Sequence, residues 1–107
     1  MSERKIRRID ERIVRIKEAL QETGPMRPGS LTRQYRDPKA RSGPYWQISY
    51  TRRMKSRTEY VRPEWVAQTR RQIAAYKRFK RWVDEWVNLG IARSQLLMRI
   101  ETGTPSR

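Results

Sequence analysis

The fold is decided by residues 45–61, which read YWQISYTRRMKSRTEYV. Apolar side chains occupy every second position over residues 46–50, and a second β-prone run covers residues 57–61. Alternation of this kind is typical of strands that bury one face. The pattern therefore predicts a β-hairpin over residues 45–61. Because its turn, residues 52–55, contains no glycine and no Asn-Gly pair, we expect an open turn longer than two residues.

Amphipathic helices are predicted on both sides of this hairpin. Residues 3–22 carry five large aliphatic side chains at alternating steps of three and four: Ile6, Ile9, Ile13, Ile16 and Leu20. That rhythm is typical of a helix that packs along another helix, and Gly24-Pro25 ends it. Pro63 suits the first turn of a helix, so a second helix is predicted over residues 63–101, with an apolar arc that can cover the first.

Residues 25–44 connect the first helix to the hairpin and are predicted to form a basic loop. Six of these positions are proline or glycine, which is too many for a regular element. The expected fold class is therefore α+β: two antiparallel helices, the second one long, with a β-hairpin and a basic loop between them. A chain of 107 residues is expected to form a single domain, residues 1–107.

Charge gives the strongest indication of function. Twenty-six Lys and Arg against eleven Asp and Glu give a net charge of +15. Such an excess weakens a compact state unless a polyanion neutralises it, and the abundant arginine suits phosphates and guanine edges. Residues 23–62 hold ten basic and two acidic side chains. We therefore expect the middle of the chain to contact nucleic acid.

Three groups of cations are candidate phosphate contacts: the loop, the hairpin tip and one face of the second helix. They are Arg27, Arg33, Arg36, Lys39, Arg41, Arg52, Arg53, Lys55, Arg57, Arg70, Arg71, Lys77, Arg78 and Arg81. The alternatives are a charged turn that keeps a sheet edge soluble and an ordinary solvated helix face. Trp46 and Tyr50 are candidates for base stacking, with packing against a helix as the alternative.

The same composition argues against catalysis. The chain has no Cys and no His, which supply thiol nucleophiles and most zinc ligands. In each of the pairs Asp10-Glu11 and Asp84-Glu85, the side chains point about 100° apart on a helix and do not converge on one site. We expect a protein that is not an enzyme and needs no cofactor or metal. With no long apolar run and no signal peptide, we also expect it in the cytoplasm and away from membranes.

Several segments resemble a family of small, basic prokaryotic proteins of unknown function, often found in genomes rich in mobile elements. The segments are 26–31 (MRPGSL) with Tyr35, 43–50 (GPYWQISY), 60–61 and 73–77. That family usually has three cysteines, which look like a metal knuckle, between the positions of Tyr35 and Gly43. A shorter Arg/Lys loop stands there in this chain. The resemblance implies no activity, and its mobile-element setting mildly favours DNA over RNA.

We therefore expect a nucleic-acid-binding accessory protein that contacts double-stranded DNA. One alternative is an RNA-binding subunit of a ribonucleoprotein. Another is a protein-interaction module whose helices form a coiled coil or a homo-oligomer and whose charge docks on an acidic partner. Competition between duplex DNA and structured RNA at matched salt separates the first two. Affinity for an acidic protein without affinity for nucleic acid would indicate the third.

Overall fold

The computed structural model describes residues 2–102 and confirms the α+β class. In chain order the elements are helix α1 (Ser2–Gln21), strands β1 (Ser30–Asp37), β2 (Ser42–Arg52) and β3 (Lys55–Val61), a 3-10 turn (Pro63–Trp65) and helix α2 (Val66–Thr102). Two compact units can be distinguished. The sheet unit is Gly24–Lys77, and the helical unit contains the described residues up to Thr23 and those from Arg78 onwards.

The sheet unit is built on an antiparallel sheet with strand order β1-β2-β3. Ile48 on the central strand is fully buried, with Val61 and Ile73 beside it. Three partly buried side chains complete this core: Leu31, Trp46 and Val66. The predicted hairpin is thus confirmed, and the alternation that predicted it identifies the face that meets α2.

The loop predicted over residues 25–44 is wrong for most of its length, because eight of these residues form strand β1 and the last three begin β2. Gly29 and Pro38 lie just outside β1 and bound it, whereas Gly43 and Pro44 lie within β2. Gly29 has a φ of +146°, and a Cβ there would lie 2.6 Å from Cγ1 of Ile48. Glycine is therefore required where the chain enters the sheet over its buried centre.

The open turn predicted at residues 52–55 is also wrong. Arg52 pairs directly with Lys55, which leaves a two-residue turn. Arg53 and Met54 have φ angles of 52° and 66°, as a type I′ turn requires of both central residues. The twist of the paired strands favours this turn, and it outweighs the cost of left-handed backbone at two residues other than glycine.

The helical unit contains α1 and the second part of α2. Ile16 of α1 is 1% exposed, and Leu96 of α2 is buried as well. Nε of Arg93 donates to Asp10 at 2.6 Å, and Nη2 of Arg12 donates to Glu85 at 3.0 Å. The earlier α1 residue meets the later α2 residue, as in an antiparallel pair. None of the helices within residues 2–102 has an apolar stretch long enough to cross a membrane.

Candidate nucleic-acid interface

The sheet unit, residues 24–77, carries most of the net positive charge of the chain. Residues 24–77 contain thirteen Lys and Arg against three Asp and Glu, a net charge of +10. Within these residues one ion pair forms, between Nη2 of Arg27 and Oε1 of Glu59 at 2.9 Å. The other twelve cations of these residues form no ion pair. In the helical unit, ion pairs from Arg12 and Arg93 join the two helices.

Glu59 is an ionised partner for Arg27. The hydrogen bond from Arg27 is the main cause that holds the pKa of Glu59 below its usual range, and Tyr50 adds to the effect. The carboxylate is 51% exposed, so this pair adds little to the free energy of unfolding. It does offset one cation near the start of the unit.

The distal part of the β2–β3 hairpin projects from the sheet unit as a two-stranded arm, residues 51–58. Every residue of this arm is exposed, so neither of its faces is covered. Hydroxyl pairs brace it: Ser49 with Thr58 at 3.2 Å and Thr51 with Ser56 at 3.1 Å. The arm carries four of the predicted contacts: Arg52, Arg53, Lys55 and Arg57.

A second basic cluster lies at the other end of the sheet, around the β1–β2 turn. It contains Arg36, Lys39 and Arg41, all of them exposed. Asp37, the acid in this turn, accepts the N–H of Ala40 at 3.3 Å. Because β2 runs from this turn to the arm, its 11 residues separate the two clusters by about 35 Å at roughly 3.3 Å per residue.

An open groove of about 350 Å³ runs between the start of β1 and the first turns of α2. Arg70 and Lys77 border it on the helix side, and Gly29 and Ser30 border it on the strand side. No acid lines it. The groove therefore brings two predicted helix cations to the Gly-Ser-Leu segment, an arrangement suited to an anion.

The two aromatic residues predicted to stack on bases each lie beneath an arginine. The guanidinium of Arg27 is 5.1 Å from the centre of the Tyr50 ring, and that of Arg70 is 5.0 Å from the centre of the Trp46 ring. Trp46 also packs against the core. The contacts of Trp46 with Arg70 of α2 and with the core agree with the alternative of packing against a helix, whereas the partner of Tyr50, Arg27, lies outside the helices.

A different aromatic group lies against solvent. Tyr35, Arg36, Tyr45 and Tyr60 line a shallow depression of about 460 Å³, and Tyr60 is 62% exposed. Tyr45 and Tyr60 immediately precede Trp46 and Val61 in their strands, and the pair Trp46–Val61 faces the core. The alternation in β2 could have separated these rings from the packed ones, since neighbouring residues of a strand face opposite ways.

Comparison with models of known protein families shows the family of this chain. A family model described as a domain of unknown function, DUF6788, matches residues 2–71. The chain belongs to the DUF6788 family. No curated protein and no solved structure gives a significant match to it.

The DUF6788 match covers α1, all three strands and the first residues of α2. Both basic clusters lie inside it, as do Arg27, Arg70 and Arg71. Lys77 lies just beyond the match, and Arg78 and Arg81 lie beyond it in the helical unit. The predicted contacts therefore do not all lie in one compact unit. Those of the arm, the β1–β2 turn and the groove all belong to the sheet unit.

No group of three or more residues that could hold a metal ion occurs in the part of the DUF6788 chain that the structure describes. The β1–β2 turn contains no cysteine and carries Lys39 and Arg41.

Proposed function

We propose that this DUF6788 protein binds nucleic acid, with double-stranded DNA as the preferred ligand, through its sheet unit. The observation that carries the proposal is the net charge of +10 in residues 24–77, where twelve cations form no ion pair. Cations that are not neutralised within the protein release condensed counterions when they meet phosphates, and that release drives binding. The two ion-paired arginines of the helical unit, Arg12 and Arg93, hold its helices together.

The spacing of the two basic clusters favours a duplex. They lie about 35 Å apart along β2, close to the roughly 34 to 36 Å of one turn of B-DNA. Clusters at that separation meet phosphates on the same side of the duplex one turn apart. The groove that holds Arg70 and Lys77 offers a further phosphate contact within the same unit.

Salt dependence tests the proposal. Contacts to about 5 to 8 phosphates give a slope of about −5 to −7 for log affinity against log salt. Arg52, Arg53 and Lys55 are replaced by Ala together, and a matched triple replaces Arg4, Arg7 and Arg8, three exposed cations of α1. We expect the arm triple to reduce the magnitude of the slope by up to about 3, whereas the α1 triple changes it by less than about 1.

Circular dichroism must first show that both triples are folded. Equal losses of affinity from the two triples would show that total charge alone matters. An affinity of the parent protein that does not change with salt would contradict the proposal. Preferential binding to an acidic protein, without affinity for nucleic acid, would replace it with the protein-interaction function.

RNA is the second candidate ligand, and the depression lined by Tyr45 and Tyr60 favours it. Exposed aromatic rings beside a cation, here Arg36, can stack on unpaired bases. Tyr60→Ala separates the two ligands. It should weaken binding to single-stranded RNA by about tenfold, the effect of about 1 to 3 kcal/mol per stacked base, and leave duplex DNA binding unchanged. If structured RNA displaces duplex DNA at matched salt, RNA becomes the preferred ligand.

A further inference from the structure

Met54 has an environment unlike that of the other large apolar side chains. It is 97% exposed, whereas the next most exposed of these side chains in the described part of the chain, that of Tyr60, is 62% exposed. It stands at the tip of the arm, between Arg53 and Lys55. The fold gains almost no burial from this side chain, so packing does not explain an apolar residue there.

The backbone at Met54 makes the residue costly as well as exposed. Its φ of 66° lies in the left-handed region, as does the φ of 52° at Arg53. Glycine or asparagine adopts these angles with least strain, and they dominate such turns in other proteins. Met54 thus accepts backbone strain without gaining contacts within the chain, which is typical of a residue that acts on a ligand.

We propose that Met54 is a wedge that enters between two stacked base pairs of duplex DNA from the minor groove. The inference rests on the proposed function for its ligand and replaces the placement of β2 along the duplex: with the tip in the groove, the arm points across the duplex axis. Proteins that bend DNA from this groove insert apolar side chains, methionine among them, and hold the flanking phosphates with cations. Arg52, Arg53 and Lys55 surround the tip and supply those cations.

The arm has the length and stiffness that such a wedge needs. Two strand pairs, Thr51↔Ser56 and Arg52↔Lys55, stand behind the turn, and at roughly 3.3 Å per residue the pairs and the turn together extend about 10 Å. The minor groove is about 7.5 Å deep, so the tip reaches its floor. The hydroxyl pair Thr51–Ser56, at 3.1 Å, holds the strands together just behind the turn.

A wedge separates stacked base pairs, and two measurable effects follow. The duplex kinks by about 20 to 90° on binding. DNA that is already unstacked, at a central mismatch, binds more tightly because less unstacking remains to be done, and we expect a preference of about tenfold over the intact duplex.

The experiment compares an intact duplex with one that carries a central mismatch, each labelled at both ends for energy transfer. Met54→Gly removes the side chain and suits the left-handed backbone, so it folds at least as well as the parent. Met54→Leu keeps an apolar wedge. Ile91→Ala, at an exposed apolar residue of α2, is the control outside the arm.

We expect the parent, Met54→Leu and Ile91→Ala to bend the duplex and to prefer the mismatch about tenfold. Met54→Gly should bind the intact duplex within about threefold of the parent, because its cations remain, and lose both the bend and the preference. If Met54→Gly bends DNA as the parent does, or if the parent leaves DNA straight while binding it, the wedge is overturned and the proposed function stands.

Failure of the parent to bind either duplex would overturn the proposed function and the wedge together. Binding to vesicles of anionic phospholipid that depends on Met54, with no response to DNA, would assign the tip to a membrane surface instead and would overturn both proposals.

Discussion

The guanidinium carbon of Arg70 lies 5.0 Å from the centre of the Trp46 ring. This contact links helix α2 to the central strand at the margin of the core formed by Ile48, Val61 and Ile73. An arginine over the face of an indole is attracted by the negative charge of the ring face. Two residues that the sequence suggested as separate contacts for nucleic acid are therefore partners within the protein.

Removing this contact should have a small, measurable effect on stability. We expect Arg70→Ala to lower the free energy of unfolding by about 0.5 to 1 kcal/mol, the value of an exposed cation–π pair. Arg71→Ala removes the neighbouring exposed cation, for which the structure shows no aromatic contact, and should leave stability unchanged. Urea denaturation measures both, and equal values for the two variants would contradict a stabilising role for the contact.

A Cβ at residue 29 should be poorly tolerated. In Gly29→Ala the new methyl group would lie 2.6 Å from Cγ1 of Ile48 on a backbone with a φ of +146°. Overpacking of this kind costs about 1 to 3 kcal/mol. Gly24→Ala is the matched control, since nothing lies within 4 Å of a Cβ at that position. The melting temperatures of Gly29→Ala and Gly24→Ala test this prediction. Similar values would show that Ile48 moves aside without cost.

Buried isoleucines should matter equally in the two units. Ile16 is 1% exposed and Ile48 is 0% exposed, so truncation of either to Ala removes buried methyl groups and leaves a cavity. We expect each change to cost about 2 to 5 kcal/mol. Val14→Ala, at a side chain on α1 that is 52% exposed, should cost less than about 0.5 kcal/mol. Denaturant titrations in which Ile16→Ala matches Val14→Ala would show that the described face of α1 is wrong.

Acid should weaken the helical unit through its two ion pairs. Hydrogen bonds from Arg93 and Arg12 hold the pKa of Asp10 and the pKa of Glu85 below their usual ranges. A carboxyl whose pKa is lower in the folded state stabilises the fold above its unfolded pKa, about 4, and loses that effect as the pH falls through the folded pKa. Stability should therefore decline below about pH 5.

The variant with Asp10→Asn and Glu85→Gln together should show a flatter decline in stability between about pH 5 and pH 2 than the parent does. Glu18→Gln removes an exposed acid of α1 for which no ion pair forms, so it should keep the parent's curve. Stability is measured by thermal melts across this range. A double variant with the parent's slope would rule out these pairs as a source of the acid sensitivity.

Periodicity identified the helices and the hairpin because their apolar residues repeat without interruption. Ile16 lies in a rhythm of threes and fours, and Ile48 lies in strict alternation. Strand β1 was missed because the six prolines and glycines of residues 25–44 predicted a loop, and Arg33, between Leu31 and Tyr35, breaks the period of two. The strand forms nonetheless because it pairs with β2. That partnership joins residues distant in the sequence and cannot be read from local composition.

The turn at Arg53 and Met54 was missed for a related reason. Local preferences favour glycine or asparagine there, whereas the register of the two strands imposes the left-handed angles. At the candidate interface, the sequence could not show how the candidate cations are grouped in the folded chain. Only the folded chain shows that Arg70 lies over the Trp46 ring and that Tyr60 is exposed to solvent.

Strand β3 lies at an edge of the sheet, and its side chains from Lys55 to Tyr60 are exposed. An uncovered edge presents backbone N–H and C=O groups to which another copy of the chain can add a strand. Lys55 and Arg57 oppose this at low ionic strength, because like charges would meet across the new pair. Salt screens that repulsion, and at about 1 M the screening length falls to roughly 3 Å. Concentrated salt, the usual means of stripping bound polyanions from a basic protein, is therefore also the condition in which this chain is most prone to edge-to-edge aggregation.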